Sequence, residues 1–381
     1  MVRKSKNYYK EDKEGRVIYI FPGQGCQYKG MGSDIIEEFS IAREIYDQAS
    51  DVLGYDMIEL SINDPENKLD KTEFTQPALL THEIACMESM LSLVSDSEDV
   101  RPHLAMGHSL GEYSALVATD TLSFEQALRL VKKRAEIMSR YSRGSMVATN
   151  LDFVTAKRLA ASTYLSVAAH NSENQTVLAG DTGAIDLFLN IIDLSNRKIR
   201  VVQLNTEGPF HSHLMAPAAE EFYKELLNTD FGIRFMDDLP QPSIIANHTA
   251  ELHPFFQAEA RELSSRPLTE LEVQQGYNTL EPFFHERIEA SIRSTLYFQI
   301  FNPVLWLDSI KRAIEEEPIF FIEFGGGIGK DDGPENKRPN LMSMNKKIIM
   351  SENKDIEYLV SINKESIVST SEKLNNLDFG D

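Results

Sequence analysis

The stretch Leu104-Ala105-Met106-Gly107-His108-Ser109-Leu110-Gly111-Glu112-Tyr113 decides the fold. A short apolar run enters a serine flanked by glycines at the Gly-x-Ser-x-Gly spacing, and a helical pattern through Thr119 follows. Strand, sharp turn and helix in that order form a nucleophile elbow: small neighbours tolerate a strained backbone that lifts the serine hydroxyl above a sheet. Amides after Ser109, at the start of a helix, would then point toward an oxyanion. A chance match in a surface loop would lack the flanking strand and helix, so Ser109 is read as a reactive hydroxyl.

Working outward, Arg16 to Phe21 reads as a strand that runs into Pro22-Gly23-Gln24-Gly25, where glycine permits a tight turn or close approach to a ligand. Leu104 to Gly107, Ser243 to Asn247 and Ile319 to Phe324 read as further buried strands. Helical patterns such as Ser123 to Ser139 separate them, and this alternation predicts a mainly parallel sheet with helices on both faces. From Ser145 to Gln203 the rhythm changes to strand, helix, strand, strand, helix, strand, the order of a ferredoxin-like unit. The expected architecture is α/β: an α/β-hydrolase-like large domain formed by 15-144 and 208-345, an inserted ferredoxin-like small domain at 145-207, and a polar C-terminal tail at 346-381.

Composition narrows the function. With 381 residues, 42% hydrophobic and 25% charged, the chain is long enough for one large core and a smaller unit. A net charge of −21 argues against nucleic-acid binding, which recruits lysine and arginine stripes. No stretch approaches the roughly 18 apolar residues of a membrane span. Met1 to Arg16 is polar, without the apolar segment of a secretory signal, and Cys26 and Cys86 make no disulfide framework. A cytoplasmic monomer is the expectation.

A serine hydroxyl needs a neighbouring base. Among nine histidines, His211 stands in Gly208-Pro209-Phe210-His211-Ser212, a loop fixed by glycine and proline that follows the last small-domain strand, where a cleft would form. His213, two residues on, makes a metal pair conceivable, yet no further ligands cluster with it, so no metal is expected. His211 is therefore chosen as the base, and no acid between Ser109 and His211 recommends itself as its partner. Arg134 falls beside the apolar stripe of the Ser123 helix, which opens with a Ser123/Gln126 capping box. On periodicity alone such an arginine snorkels to the surface.

Together, Phe21-Pro22-Gly23-Gln24-Gly25-Cys26-Gln27, Gln76-Pro77-Ala78, Gly107-His108-Ser109-Leu110-Gly111-Glu112-Tyr113-Ser114-Ala115, Arg134, Gly208-Pro209-Phe210-His211-Ser212 and Asn302-Pro303-Val304-x-Trp306 resemble the malonyl-CoA:acyl carrier protein transacylases. They resemble equally the acyltransferase domains of fatty-acid and polyketide synthases. The likeness is ordered and runs from about Val17 to Gly327. It implies a ping-pong transfer in which Ser109, activated by His211, takes malonyl from malonyl-CoA and passes it to an acyl carrier protein. The phosphopantetheine belongs to that partner, and no cofactor of the chain's own is implied. It further implies an oxyanion hole of the Gln24 and Leu110 amides, and a main-chain carbonyl at Gln299 orienting the histidine in place of an acid. Arg134 would bind the malonyl carboxylate, and the Phe210 ring would leave little room for an α-methyl. Cys26 stands where serine is common in the family and is not expected to be a nucleophile. A carrier protein is itself acidic, so basic clusters at Lys132, Lys133, Arg140 and Arg143, or at Arg197, Lys198 and Arg200, are candidate docking patches. Alternatives on this scaffold are an acyl hydrolase and a non-catalytic carrier-binding subunit. Residues 252-282 exceed the family pattern, and Lys330-Asp331-Asp332-Gly333 has no counterpart in it.

Overall fold

The computed structural model describes residues 17–95, 100–195, 198–231, 243–253 and 281–376. Its larger sheet is built on β1 (Val17–Phe21), in which every residue is buried. A strand buried on both faces suits the centre of a parallel sheet. Beside it lie β2 (Leu104–Gly107) and β9 (Phe320–Phe324), both parallel to it. Beyond β2 comes β7 (Ser243–Ile245), in parallel, and then the short β8 (Leu252–His253), antiparallel. The order β10-β9-β1-β2-β7-β8 is completed by β10 (Glu357–Ser361), parallel to β9.

Helices cover this sheet. Between β1 and β2 run α1 (Ser33–Glu38), α2 (Ser40–Leu53), α3 (Met57–Ile62) and the long α4 (Thr72–Leu93). After β2 come α5 (Gly111–Ala118) and α6 (Phe124–Arg140), the second opened by the Ser123/Gln126 capping box.

The chain then leaves for a second sheet, ordered β4-β5-β3-β6 and antiparallel throughout. It consists of β3 (Ser145–Thr149), α7 (Phe153–Ser162), β4 (Ser166–Ser172), β5 (Gln175–Gly180), α8 (Thr182–Leu194) and β6 (Val201–Gln203). This is the ferredoxin-like order, with its own small core of Val147, Leu178, Ile185 and Phe188. The chain returns through α9 (Ala216–Leu227), and later through α10 (Glu281–Gln299) and α11 (Trp306–Glu315). The small sheet is tied to the large unit through the loop between α10 and α11, since Val304 N donates to Ala168 O at 3.0 Å and His170 N to Val304 O at 2.8 Å.

The expectation of a polar tail at 346-381 is corrected. Position 345 falls inside α12 (Met342–Ser351), β10 extends the large sheet, and α13 (Lys364–Asn375) packs back on it with Ile367 and Leu374 buried. An apolar patch around Tyr358 to Ile362 forms most of β10, the edge strand of the large sheet. Of the unmatched segment 252-282, only Leu252–His253 and the first residues of α10 lie within the described residues. Among those residues no helix is long and apolar enough to cross a membrane.

Candidate active site

Parallel strands open a crevice at their carboxyl ends, and three neighbouring strands deliver the site here. β2 ends in Gly107 and turns through His108 into Ser109, whose φ of 53° is left-handed. A non-glycine residue held there stores about 1–3 kcal/mol of strain. The glycines around it are obligatory: a Cβ on Gly107 would lie 2.0 Å from Gly111 O, and one on Gly111 2.3 Å from Phe21 O. β1 ends in the Pro22-Gly23-Gln24 loop, which presses on the elbow so closely that a Cβ on Gly23 would lie 2.4 Å from His108 O. This brings the Gln24 loop beside Leu110, which caps α5 and is fully buried.

β7 supplies Asn247. Its side chain clamps the elbow from both sides, accepting from Ser109 N at 2.6 Å and donating to Gly107 O at 2.7 Å. The sequence places Asn247 only at the end of a buried strand. An asparagine just past a buried strand, at the carboxyl end of the sheet, was the available signal.

His211 comes from the loop after the small domain. It lies 5% exposed, with a left-handed φ of 59°. Its Nε2 is 2.7 Å from Ser109 Oγ and its Nδ1 2.8 Å from the main-chain oxygen of Gln299. A carbonyl can only accept, so Nδ1 carries the proton and the lone pair of Nε2 faces the serine. Burial, aided by the Arg134 guanidinium, pushes the imidazole pKa down to about 3, which keeps it neutral.

Arg134 is 1% exposed and not a snorkelling residue at all. Its guanidinium lies 5.3 Å over the Tyr113 ring, and donates to Gln76 Oε1 at 2.7 Å, Gln299 Oε1 at 3.1 Å and Ser109 Oγ at 3.2 Å. These three partners are all neutral. Burial lowers its pKa from the ordinary value, yet a guanidinium stays charged near neutrality. A buried cation held by neutral acceptors, 3.2 Å from a nucleophile, is suited to an anionic group on whatever that nucleophile attacks.

Gln299 does more than its main chain suggests. Its Nε2 donates to Ser109 O at 2.8 Å and to Glu112 Oε2 at 2.9 Å. One residue therefore touches nucleophile, base, guanidinium and a buried carboxyl. Glu112 also accepts from Asn247 N at 3.2 Å. It is the one charged residue in α5, an otherwise apolar and small-residue helix. That isolation was its sequence signal.

Phe210 is buried directly before His211. Cys26 is buried too: its thiol donates to Gly23 O at 3.0 Å, and burial pushes its pKa well up, so it is no thiolate nucleophile. His213 meets Ser166, and among the described residues no cluster of three or more His, Cys, Asp or Glu is placed to hold a metal. Of the proposed basic patches, Lys133 pairs with Glu136 and Arg140 with Glu221. Lys198 and Arg200 line an open cleft of about 490 Å³ with Asn150 and Ile199, while Arg197 lies outside the described residues.

Comparison with known proteins gives the family. A family model described as acyl transferase domain matches residues 18–243. The polyketide biosynthesis malonyl CoA-acyl carrier protein transacylase PksC of Bacillus subtilis is 33% identical over 315 residues, 82% of this chain and 93% of that protein. The malonyl CoA-acyl carrier protein transacylase of Staphylococcus aureus strain COL is 32% identical over 321 residues, 82% of this chain and 89% of its own length. Among solved structures, the malonyl CoA-acyl carrier protein transacylase of Clostridium perfringens superposes with a TM-score of 0.72 at 28% identity, covering 94% of this chain and 97% of that one. A type II PKS acyl-carrier protein in complex with its malonyl-transacylase gives 0.73 at 26% identity, covering 94% and 99%. The chain belongs to the acyl transferase family and, within it, to the malonyl CoA-acyl carrier protein transacylases.

Proposed function

We propose that this protein moves a malonyl group from malonyl-CoA to the phosphopantetheine thiol of an acyl carrier protein, through an ester on Ser109. The carrying observation is the single hydroxyl that meets both a neutral imidazole at 2.7 Å and a buried guanidinium at 3.2 Å. In the first half-reaction the Ser109 proton passes to His211 Nε2 as Oγ bonds the thioester carbon. The carbon–sulfur bond then breaks, and the CoA sulfur leaves with that proton. In the second, the carrier thiol gives its proton to His211 as its sulfur bonds the ester carbon, the carbon–Oγ bond breaks, and the proton returns to Ser109 Oγ.

The amides of Gln24 and Leu110 would stabilise the oxyanion, a contribution of roughly 2.7–4 kcal/mol per donor. Gln299 O would steady the imidazolium that forms between the two proton transfers. Arg134 would bind the free carboxylate, which acetyl lacks. The buried Phe210 ring would disfavour an α-methyl by about 1–3 kcal/mol. The phosphopantetheine arrives on the partner, and the exposed Lys198 and Arg200 offer an acidic carrier its complementary charge.

The test is to load the protein with malonyl-CoA, remove free CoA ester, and add carrier protein bearing its phosphopantetheine. The expected result is quantitative movement of malonyl from protein to carrier. Release of free malonate without transfer would contradict the proposal and make the protein a hydrolase.

A further inference from the structure

Glu112 is a fully buried carboxyl for which the acyl-transfer steps have no use. Its Oε2 accepts from Gln299 Nε2 and Asn247 N, while its Oε1 has no hydrogen-bond partner among the described residues. On the other side of the same Gln299 amide, Oε1 accepts from Arg134 Nη2. A single carboxamide thus separates a buried carboxyl from the buried guanidinium, its nitrogen turned to one and its oxygen to the other. Of the titratable and charged groups around Glu112, Arg134 on α6 and Tyr113 on its own helix interact with it, and both residues from the remaining elements, Asn247 and Gln299, are neutral.

We propose that Glu112 is the resident counter-charge and positioning residue of Arg134, acting through Gln299, and that it sets how strongly the site holds a carboxylate-bearing acyl group. The inference rests on the acyl-transfer proposal and deepens it. When ionised, Glu112 competes for the field of one buried cation. A malonyl carboxylate brings a second anion, and a low-dielectric site with one cation tolerates one anion far better than two. Arrival of the substrate carboxylate is therefore coupled to uptake of a proton from solvent by Glu112. An acetyl group carries no charge and calls for none.

Burial pushes the Glu112 pKa up to about 7, opposed by hydrogen bonds from Gln299 and Asn247 and by the Arg134 charge. The sign follows. Below that pH Glu112 is neutral and Arg134 is fully available; as pH rises through it, preference for malonyl declines.

The experiment measures kcat/KM for acyl loading with malonyl-CoA and acetyl-CoA from about pH 6 to about pH 9, a window bracketing the shifted carboxyl. It uses the unmodified protein and Glu112→Gln. Taking the malonyl-to-acetyl ratio cancels His211, which serves both substrates. Glu112→Gln removes the charge while leaving an oxygen to accept from Gln299 and Asn247. The ratio is expected to fall at least about fivefold with rising pH in the unmodified protein, the low end of ordinary coupling between sites. In Glu112→Gln it should be flat, and above the unmodified value at the alkaline end. A flat ratio in the unmodified protein, or an unchanged slope in Glu112→Gln, overturns the inference. The slope of the unmodified protein needs no variant, so a variant that fails to fold still leaves a decisive result. Absence of any acyl-Ser109 would instead refute the acyl-transfer proposal itself.

Discussion

Two serine–histidine pairs stand close together in the chain, and by distance they are the same. Ser109 Oγ lies 2.7 Å from His211 Nε2, and Ser166 Oγ lies 2.7 Å from His213 Nδ1. Everything around them differs. Ser109 sits at a strained turn, clamped by Asn247 and facing a guanidinium. Ser166 begins strand β4, and its hydroxyl also receives the backbone N–H of His213 at 3.1 Å. His211 is buried and fixed by a carbonyl, whereas His213 is exposed at the start of a single helical turn. A hydrogen bond between the right side chains is not a catalytic pair. What makes one is a base locked in one tautomer, a nucleophile lifted off the sheet, and donors aimed at the charge that develops.

The comparison can be broken most severely by removing the first pair. Ser109→Ala or His211→Ala should lower transfer by roughly 10⁴-fold or more, as read in a carrier-malonylation assay. Arg134→Ala comes next, because a charged hydrogen bond in a partly dry site contributes about 1.5–3 kcal/mol. The malonyl-over-acetyl preference should drop by roughly tenfold or more, the equivalent of 1.4 kcal/mol or above, in parallel kcat/KM measurements. Equal loss for both acyl groups would remove Arg134 from substrate recognition.

Asn247→Ala strips the clamp and leaves Ser109 N and Gly107 O without it. Each unsatisfied buried group costs about 1–3 kcal/mol, so a lowered melting temperature and a reduced kcat are both expected, with fold retained by circular dichroism. At the bottom of the scale, Ser166→Ala and His213→Ala should change transfer by less than about twofold, the usual reach of a surface substitution. A large loss there would mean that the second pair has a part in the reaction.

The Ser109–His211 pair also carries a pH signature. His211 has its folded pKa near 3, below the value of an unfolded histidine near 6.5. The unfolded chain therefore binds the proton first as pH falls, and stability is full above about 6.5 and lost progressively toward about 3. For loading, the neutral base is present across that whole window. Acetyl-CoA loading should show no decline as pH drops through 6.5, and a decline centred there would contradict the burial argument.

Much of this contrast was legible in the sequence because it is written in local rules. Glycines at 107 and 111 bracket the serine at the spacing an elbow needs, and Gly208-Pro209 fixes the loop of the histidine. The apolar runs of β1, β2 and β9 and the strand order of the small domain are equally local. What could not be read was where side chains from distant elements converge. Periodicity put Arg134 at the margin of its helix stripe, and only the packing of α6 against α4 and α5 closes over it. Glu112 is by sequence one polar position in a helix, and its partners lie 135 and 187 residues away. The edge strand β10 is not legible because one short apolar patch among polar residues reads as tail until a neighbouring strand pairs with it.

The most direct test of the central claim is intact mass followed by peptide mapping after brief exposure to malonyl-CoA, in the unmodified protein, Ser109→Ala and Ser166→Ala. The predicted result is one malonyl ester, mapped to Ser109, present in Ser166→Ala and absent from Ser109→Ala. A malonyl adduct that survives in Ser109→Ala, or that maps to Ser166, would contradict it.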